Sequence, residues 1–302
     1  MNADWPPSSV RDDSDHGRPG RAPAWFSSAL ARRPQERYVI VDGVRVHCRT
    51  WAGSGKCEIV LIHGGAASSH WWDHIAPALT DAGSVTAIDL SGHGESGRRT
   101  SYSIDQWAEE AVAAFSAAPR VERVLVGHSL GGFISLRSAT LFPTSFDRVI
   151  VIDSPVRDQD DESAAALRSR ARPHRLSSTR EQAESRFAPR PMQPDSLPYV
   201  LSHIASTSVV QSAAGWSWKF DPQVFDRAGL SPDDLAPLDM PVTIFRAEHG
   251  MLTAEMAERM QRVLGPTSTI VELPGTGHHA MLDHPILLID ALRQAINGER
   301  ST

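Results

Sequence analysis

Cysteine is nearly absent: the 302-residue chain has two, Cys48 and Cys57. Two thiols make neither a disulfide framework nor a four-cysteine metal site. Both fall in or beside expected strands, which fits a reduced, cytoplasmic protein. Positive charge is also in deficit: 30 Lys and Arg against 36 Asp and Glu leave a formal net charge of -6. That removes the electrostatic basis for binding nucleic acid or an anionic membrane surface. No apolar run approaches the roughly 20 residues that a membrane helix needs. Residues 1–20 are polar, contain Pro6, Pro7 and Pro19, and lack the apolar segment of a secretory signal. They read as a disordered leader, which with a short helix at 25–31 accounts for residues 1–36. No internal repeat or low-complexity tract stands out. The remaining balance, 41% hydrophobic and 22% charged, is that of an ordinary globular domain. The length allows one large α/β domain plus an insertion.

The apolar residues fall in a regular rhythm. Residues 38–51 alternate around Asp42-Gly43, a hairpin signal. Continuous apolar runs at 59–62, 85–88, 124–126, 149–152, 242–245 and 270–273 have the character of strands buried on both faces. Between them lie helical patterns: Ile104, Trp107, Ala111 and Phe115 share one face, as do Met256, Met260 and Val263. Pro285 suits the first turn of a last helix over 286–296. Such alternation predicts an α/β fold, a mostly parallel sheet with helices on both faces and the opening hairpin at one edge. Residues 155–237 break the rhythm. They are rich in Arg, Asp, Ser and Pro, with helices expected at 162–172, 179–187 and 197–206. This stretch reads as a helical cap inserted into a core made of 37–154 and 238–302.

The richest local signal is Gly127-His128-Ser129-Leu130-Gly131, between an apolar strand and an apolar helix. A G-x-S-x-G sequence places a serine on a sharp strand-to-helix turn. Its glycines remove Cβ atoms that would clash, and the following helix directs positive partial charge at the hydroxyl. Further features sit at other strand ends, where open α/β sheets place their sites. They are His63-Gly64-Gly65, the segment D-L-S-G-H-G-E-S-G over 89–97, and Gly275-Thr276-Gly277-His278. In this order and together they make the sequence resemble the α/β-hydrolase superfamily over residues 38–298.

The resemblance implies a serine hydrolase with no cofactor and no metal, acting on a small-molecule substrate; the oligomeric state is left open. Ser129 would be the nucleophile and His278 the base that takes its proton and returns it to the leaving group. The backbone N–H groups of Leu130 and Gly65 would form the oxyanion hole. His63, His93 and His128 read as structural hydrogen-bonding residues, and His279 as a packing or surface residue. The third member departs from the family pattern. In most relatives an acid follows the strand after the insertion, and here alignment puts Gly250 at that place. Two substitutes exist. Asp153 ends the strand before the insertion and is preferred; Glu248, two residues before the vacant position, is the alternative acid. Asp283 would cap the last helix.

Trp71, Trp72, Trp216, Trp218 and Met251 are candidate pocket residues, with core packing the competing role for the tryptophans. A pocket so lined suits a moderately hydrophobic ester or lactone. Other readings on the same three residues are a perhydrolase and a carbon–carbon bond hydrolase of dienoic acids, which an arginine near the pocket would favour. A ligand-binding protein on this fold is the non-catalytic reading. Ser129 argues against an aspartate nucleophile, as in epoxide hydrolases and haloalkane dehalogenases.

Overall fold

The computed structural model describes residues 22–116, 121–156, 161–227 and 231–298. The leader expected at residues 1–20 lies outside the described residues. The first helix, α1 (Ala24–Ala31), buries Phe26 and packs Trp25 and Leu30 partly against the same apolar cluster. β1 (Gln35–Val41) and β2 (Val44–Trp51) pair antiparallel across Asp42-Gly43. Both turn residues take positive φ, as a tight hairpin matched to the strand twist requires.

The chain then lays down β3 (Cys57–Ile62) and β4 (Gly83–Asp89), α2 (Ile104–Ala113), β5 (Glu122–His128), α3 (Leu130–Leu141) and β6 (Arg148–Ile152). After the insertion described below come β9 (Val242–His249), α7 (Ala254–Leu264), β10 (Ser268–Gly277), α8 (Ala280–Asp283) and α9 (Pro285–Asn297). The strands form one eight-stranded sheet in the order β1-β2-β4-β3-β5-β6-β9-β10. Every pairing beyond β2–β4 is parallel. Strand residues alternate between two cores. Val60, Ile62 and Leu125 face the layer of α2, α3 and α7, while Ile59, Leu61 and Val126 face the layer of α1 and α9. Burying each such side chain contributes about 1.5–3 kcal/mol, so both faces hold the sheet in place. α3 is wedged between the sheet and α2, which is why it is apolar nearly all round.

Between β6 and β9 the chain forms α4 (Asp161–Arg168), α5 (Arg180–Glu184) and α6 (Pro198–Thr207), then a hairpin of β7 (Val209–Ser212) and β8 (Gly215–Trp218). The three helices stand where helical spacing places them; α4 and α5 are shorter than expected and α6 is displaced by one residue. The hairpin is new: its turn is Ala213-Ala214, without the Asn-Gly or Asp-Gly pair that marks hairpins in a sequence. Asp283 does not cap α9. Its Oδ2 instead accepts a hydrogen bond from the Gly277 N–H at 2.6 Å, which ties down the loop ahead of His278. Among the described residues, no helix is long and apolar enough to cross a membrane.

Four buried histidines are held neutral by the packing. Burial lowers His74 to about 4, His128 to about 3 and His279 to about 2, and drives His93 well below its ordinary value. In the unfolded chain each titrates near pH 6.5. As pH falls below that value the unfolded state takes up protons that the fold refuses, so stability is full above about pH 6.5 and lost below it. Each group contributes a slope of at most about 1.4 kcal/mol per pH unit, and all four have the same sign. Urea unfolding is therefore expected to show stability falling between pH 7.5 and 5.5. A flat stability over that range would contradict the neutral assignment.

Candidate active site

The turn after β5 follows from its glycines. A Cβ on Gly127 would lie 2.1 Å from the Gly131 carbonyl oxygen, and one on Gly131 would lie 2.3 Å from that of Ile62. Only hydrogen fits at either position, and the strand can reverse into α3 within one residue. That residue is Ser129, at φ 53° and ψ -115°, a strained conformation costing on the order of 1–3 kcal/mol. The strain is held by the Ser129 N–H, which donates to the Ile152 carbonyl at 3.0 Å, and by the Ser129 carbonyl, which accepts from Gly132 N–H at 3.0 Å. Among the described non-glycine residues, positive φ recurs at Asp42, Ala66 and Asp153. Ala66, Ser129 and Asp153 follow β3, β5 and β6 at the same end of the sheet, where a held strain positions side chains.

His278 arrives from the other end of the chain. β10 loses its register with β9 between Leu273 and Gly277, and the irregularity turns the next residue over the sheet edge. The ring is buried. Its Nε2 stands 3.1 Å from Ser129 Oγ and its Nδ1 stands 2.6 Å from Asp153 Oδ2. A carboxylate only accepts, so Nδ1 carries the proton and Nε2 presents a lone pair to the serine hydroxyl.

Asp153 follows β6, is fully buried, and accepts three backbone N–H groups besides the imidazole: Met251 at 2.7 Å, Leu252 at 3.2 Å and Ala247 at 3.3 Å. Burial alone would raise its pKa. The hydrogen bond and charge of His278, with the amides of Met251 and Leu252, outweigh that and hold the carboxyl below its ordinary value. Asp153 is therefore a fixed negative charge at neutral pH. Gly250 stands where the sequence pattern of relatives calls for an acid, and the geometry explains it. A Cβ at 250 would lie 2.3 Å from Asp153 Oδ1, so the carboxylate of 153 occupies the space a side chain of 250 would need. Glu248 lies elsewhere: it is exposed at the end of β9, and its Oε2 accepts from the Gly275 N–H at 2.7 Å.

The remaining histidines brace the loops. His63 Nδ1–H donates to the Gly64 carbonyl at 2.7 Å, and its Nε2 accepts from Leu90 N–H at 3.2 Å. His128 Nε2–H donates to the His278 carbonyl at 2.8 Å, fixing the backbone behind the imidazole. In the segment after β4, buried Asp89 accepts from His47 Nδ1 at 2.8 Å and from the amides of Ser69 at 2.6 Å and Glu95 at 3.0 Å. That carboxylate ties β2, the turn at Ser69 and the loop at Glu95 to the end of β4.

Ser129 opens into a cavity of about 370 Å³ with Gly65, Leu130, Phe133, Met251 and His278 in its walls. A Cβ on Gly65 would be 3.6 Å from Phe225 Cε1 and 3.7 Å from Leu130 Cδ2, so the two proposed oxyanion-hole residues are neighbours. A second cavity of about 300 Å³ adjoins it and shares Gly65, Trp71, Arg170, Arg190, Phe225 and His279. Trp71 faces both, Met251 the first and Trp218 the second.

Trp72 and Trp216 are corrections to the expected pocket. Successive residues of the 3₁₀ turn Ser69–Trp72 point about 120° apart, so Trp72 is wholly buried in the core beneath Trp71. Trp216 lies two residues along β8 from Trp218, paired with Ser177 and beneath the Arg180 guanidinium at 5.8 Å, outside both cavities. His279 is buried and lines both cavities, edge-to-face with Trp71 at 5.3 Å. Phe133, Phe225, Arg170, Arg190 and Arg227 also line the site without having been singled out. The Arg-rich composition of 155–237 is the one trace of the three arginines in the sequence.

A strained serine at a strand-to-helix turn, on a doubly covered parallel sheet with a late-chain histidine beside it, defines a class of protein. The family model of the alpha/beta hydrolases matches residues 59–291, and the chain belongs to that family. Esterase Rv0045c of Mycobacterium tuberculosis is 26% identical, over 82% of this chain and 85% of its own length. A pimeloyl-(acyl-carrier protein) methyl ester esterase of Edwardsiella ictaluri is 27% identical, over 82% of this chain and 95% of its own. Among solved structures, that of E-2-(acetamidomethylene)succinate hydrolase shares the fold with a TM-score of 0.74 at 24% identity, over 87% of this chain and 99% of that one.

Proposed function

We propose that this chain is a serine esterase that cleaves small to medium carboxylic esters or lactones through an acyl-enzyme, with Ser129, His278 and Asp153 as its catalytic residues. The observation that carries the reading is the unbroken line from Asp153 Oδ2 through the His278 ring to Ser129 Oγ, with contacts of 2.6 Å and 3.1 Å. The esterase names of the relatives favour the same bond type.

As Ser129 Oγ attacks the ester carbonyl carbon, its proton passes to His278 Nε2. The imidazolium so formed is stabilised by Asp153, whose carboxylate stays ionised. The oxyanion that develops takes hydrogen bonds from the Leu130 and Gly65 N–H groups, a contribution of about 2.7–4 kcal/mol for each donor by analogy with other serine hydrolases. His278 then protonates the leaving alkoxide. A water molecule, deprotonated by the same nitrogen, releases the acid and restores Ser129.

A substrate panel tests the bond class. Purified protein is expected to hydrolyse p-nitrophenyl acetate or butyrate and simple lactones with no added cofactor, at a rate insensitive to a chelator. Turnover of dienoic acids without turnover of any ester would replace this reading by carbon–carbon bond hydrolysis.

A further inference from the structure

Among the described residues, two cations of the cavity walls have no acidic partner. Arg170, just past α4, and Arg190, between α5 and α6, line both parts of the cavity and are exposed at its mouth. The other basic residues there are engaged. Arg186 donates to Ser177 Oγ at 2.6 Å and to the Arg175 carbonyl at 3.2 Å, Lys219 pairs with Glu95 at 2.5 Å, and Arg227 lies over the Trp107 ring at 5.5 Å. Arg170 and Arg190 are instead close enough for the charge of Arg190 to add to the effect of burial in lowering the pKa of Arg170. No Asp or Glu is among the described residues that line either cavity.

The placement of the pair is specific. The Arg170 guanidinium lies over the Phe225 ring, 4.2 Å from its centroid, and the far side of the site is reached across that ring, since Phe225 Cε1 abuts Gly65. The N–H groups of a guanidinium match a carboxylate edge in bidentate fashion. Apolar walls surround the serine: Phe133, Leu167, Phe225 and Met251. The cavity walls therefore combine the reacting serine, apolar side chains and these two cations.

We infer that the substrate carries a carboxylate on its acyl part, held by Arg170 and Arg190 at the cavity mouth while the ester carbonyl lies at Ser129. A half-ester of a short aliphatic dicarboxylic acid is the simplest molecule of this class. The inference rests on the serine-esterase reading for its chemistry, but the anion site can be tested separately.

The test compares methyl hydrogen adipate with methyl hexanoate, which have equal chain lengths and differ in the terminal carboxylate. Wild-type protein is expected to favour the half-ester by about ten- to a hundred-fold in kcat/KM, the range of charge-assisted hydrogen bonds, mostly through KM. The Arg170→Gln/Arg190→Gln variant should bring the ratio close to one. Equal or better use of methyl hexanoate by the wild type, or an unchanged ratio in the double variant, overturns the anion site. Calorimetric titration of the Ser129→Ala variant with methyl hydrogen adipate separates the two claims. Binding that disappears with the arginines, in a wild type that cleaves neither ester, keeps the anion site and rejects the esterase. Cleavage of both esters alike, with no binding preference in Ser129→Ala, rejects the anion site and keeps the esterase.

Discussion

Replacing Ser129 by alanine is expected to lower kcat on p-nitrophenyl butyrate by roughly 10⁴- to 10⁶-fold, the loss typical of a removed nucleophile, while leaving the circular dichroism spectrum and thermal midpoint near those of the wild type. The size of the effect follows from the loss of the covalent step itself. The oxyanion N–H groups and the pocket remain, and only the acceleration they provide for direct attack by water survives. The fold should tolerate the change. Ser129 Oγ meets His278 at 3.1 Å, while the elbow itself is fixed by backbone hydrogen bonds and by Gly127 and Gly131. Alanine also relieves nothing at φ 53°, so a large gain in stability is not expected. Turnover within a few fold of the wild type would remove Ser129 from the chemistry.

The second large effect is expected at the acid. Asp153→Asn should cut kcat by about 10⁴-fold, because an amide in that place favours the wrong imidazole tautomer and leaves the imidazolium without its counter-charge. Glu248→Gln should change kcat by less than about twofold, since its carboxylate is bonded to the Gly275 N–H at the far rim of β9 and a surface hydrogen bond contributes little. A large loss in Glu248→Gln with a small one in Asp153→Asn would reverse the assignment. Gly250 offers an internal check on the same geometry. Even a methyl group there would meet Asp153 Oδ1 at 2.3 Å, so Gly250→Ala should move in the direction of Asp153→Asn.

The sheet was legible because both of its faces are buried. Runs such as Val149-Ile150-Val151-Ile152 have no polar side to offer, and the helices between them show their apolar stripes clearly. The elbow was legible for a different reason, since its glycines are dictated by backbone contacts closer than any Cβ allows. The vacant acid position could be seen in the sequence, and its cause could not. Residues 153 and 250 compete for one space only after β6 and β9 have paired.

The pocket was the least legible part. The direction in which Trp72 points depends on a single 3₁₀ turn, and nothing in the pair Trp71-Trp72 reveals which ring goes inward. Trp216 and Trp218 share a hairpin whose Ala-Ala turn carries no signal, and only the second reaches the cavity. Arg170 and Arg190 are separated by α5 and come together only through the path of the insertion. Their meeting is a property of packing, which local sequence patterns do not encode.

Treating the protein with a fluorophosphonate measures directly the readiness of the Ser129 hydroxyl to attack an acyl or phosphoryl centre. Intact-mass and peptide analysis should find a single adduct, on Ser129, formed within minutes at neutral pH and slowed by orders of magnitude in His278→Ala. A wild-type protein left unlabelled, or one modified at another serine, would contradict Ser129 as the nucleophile.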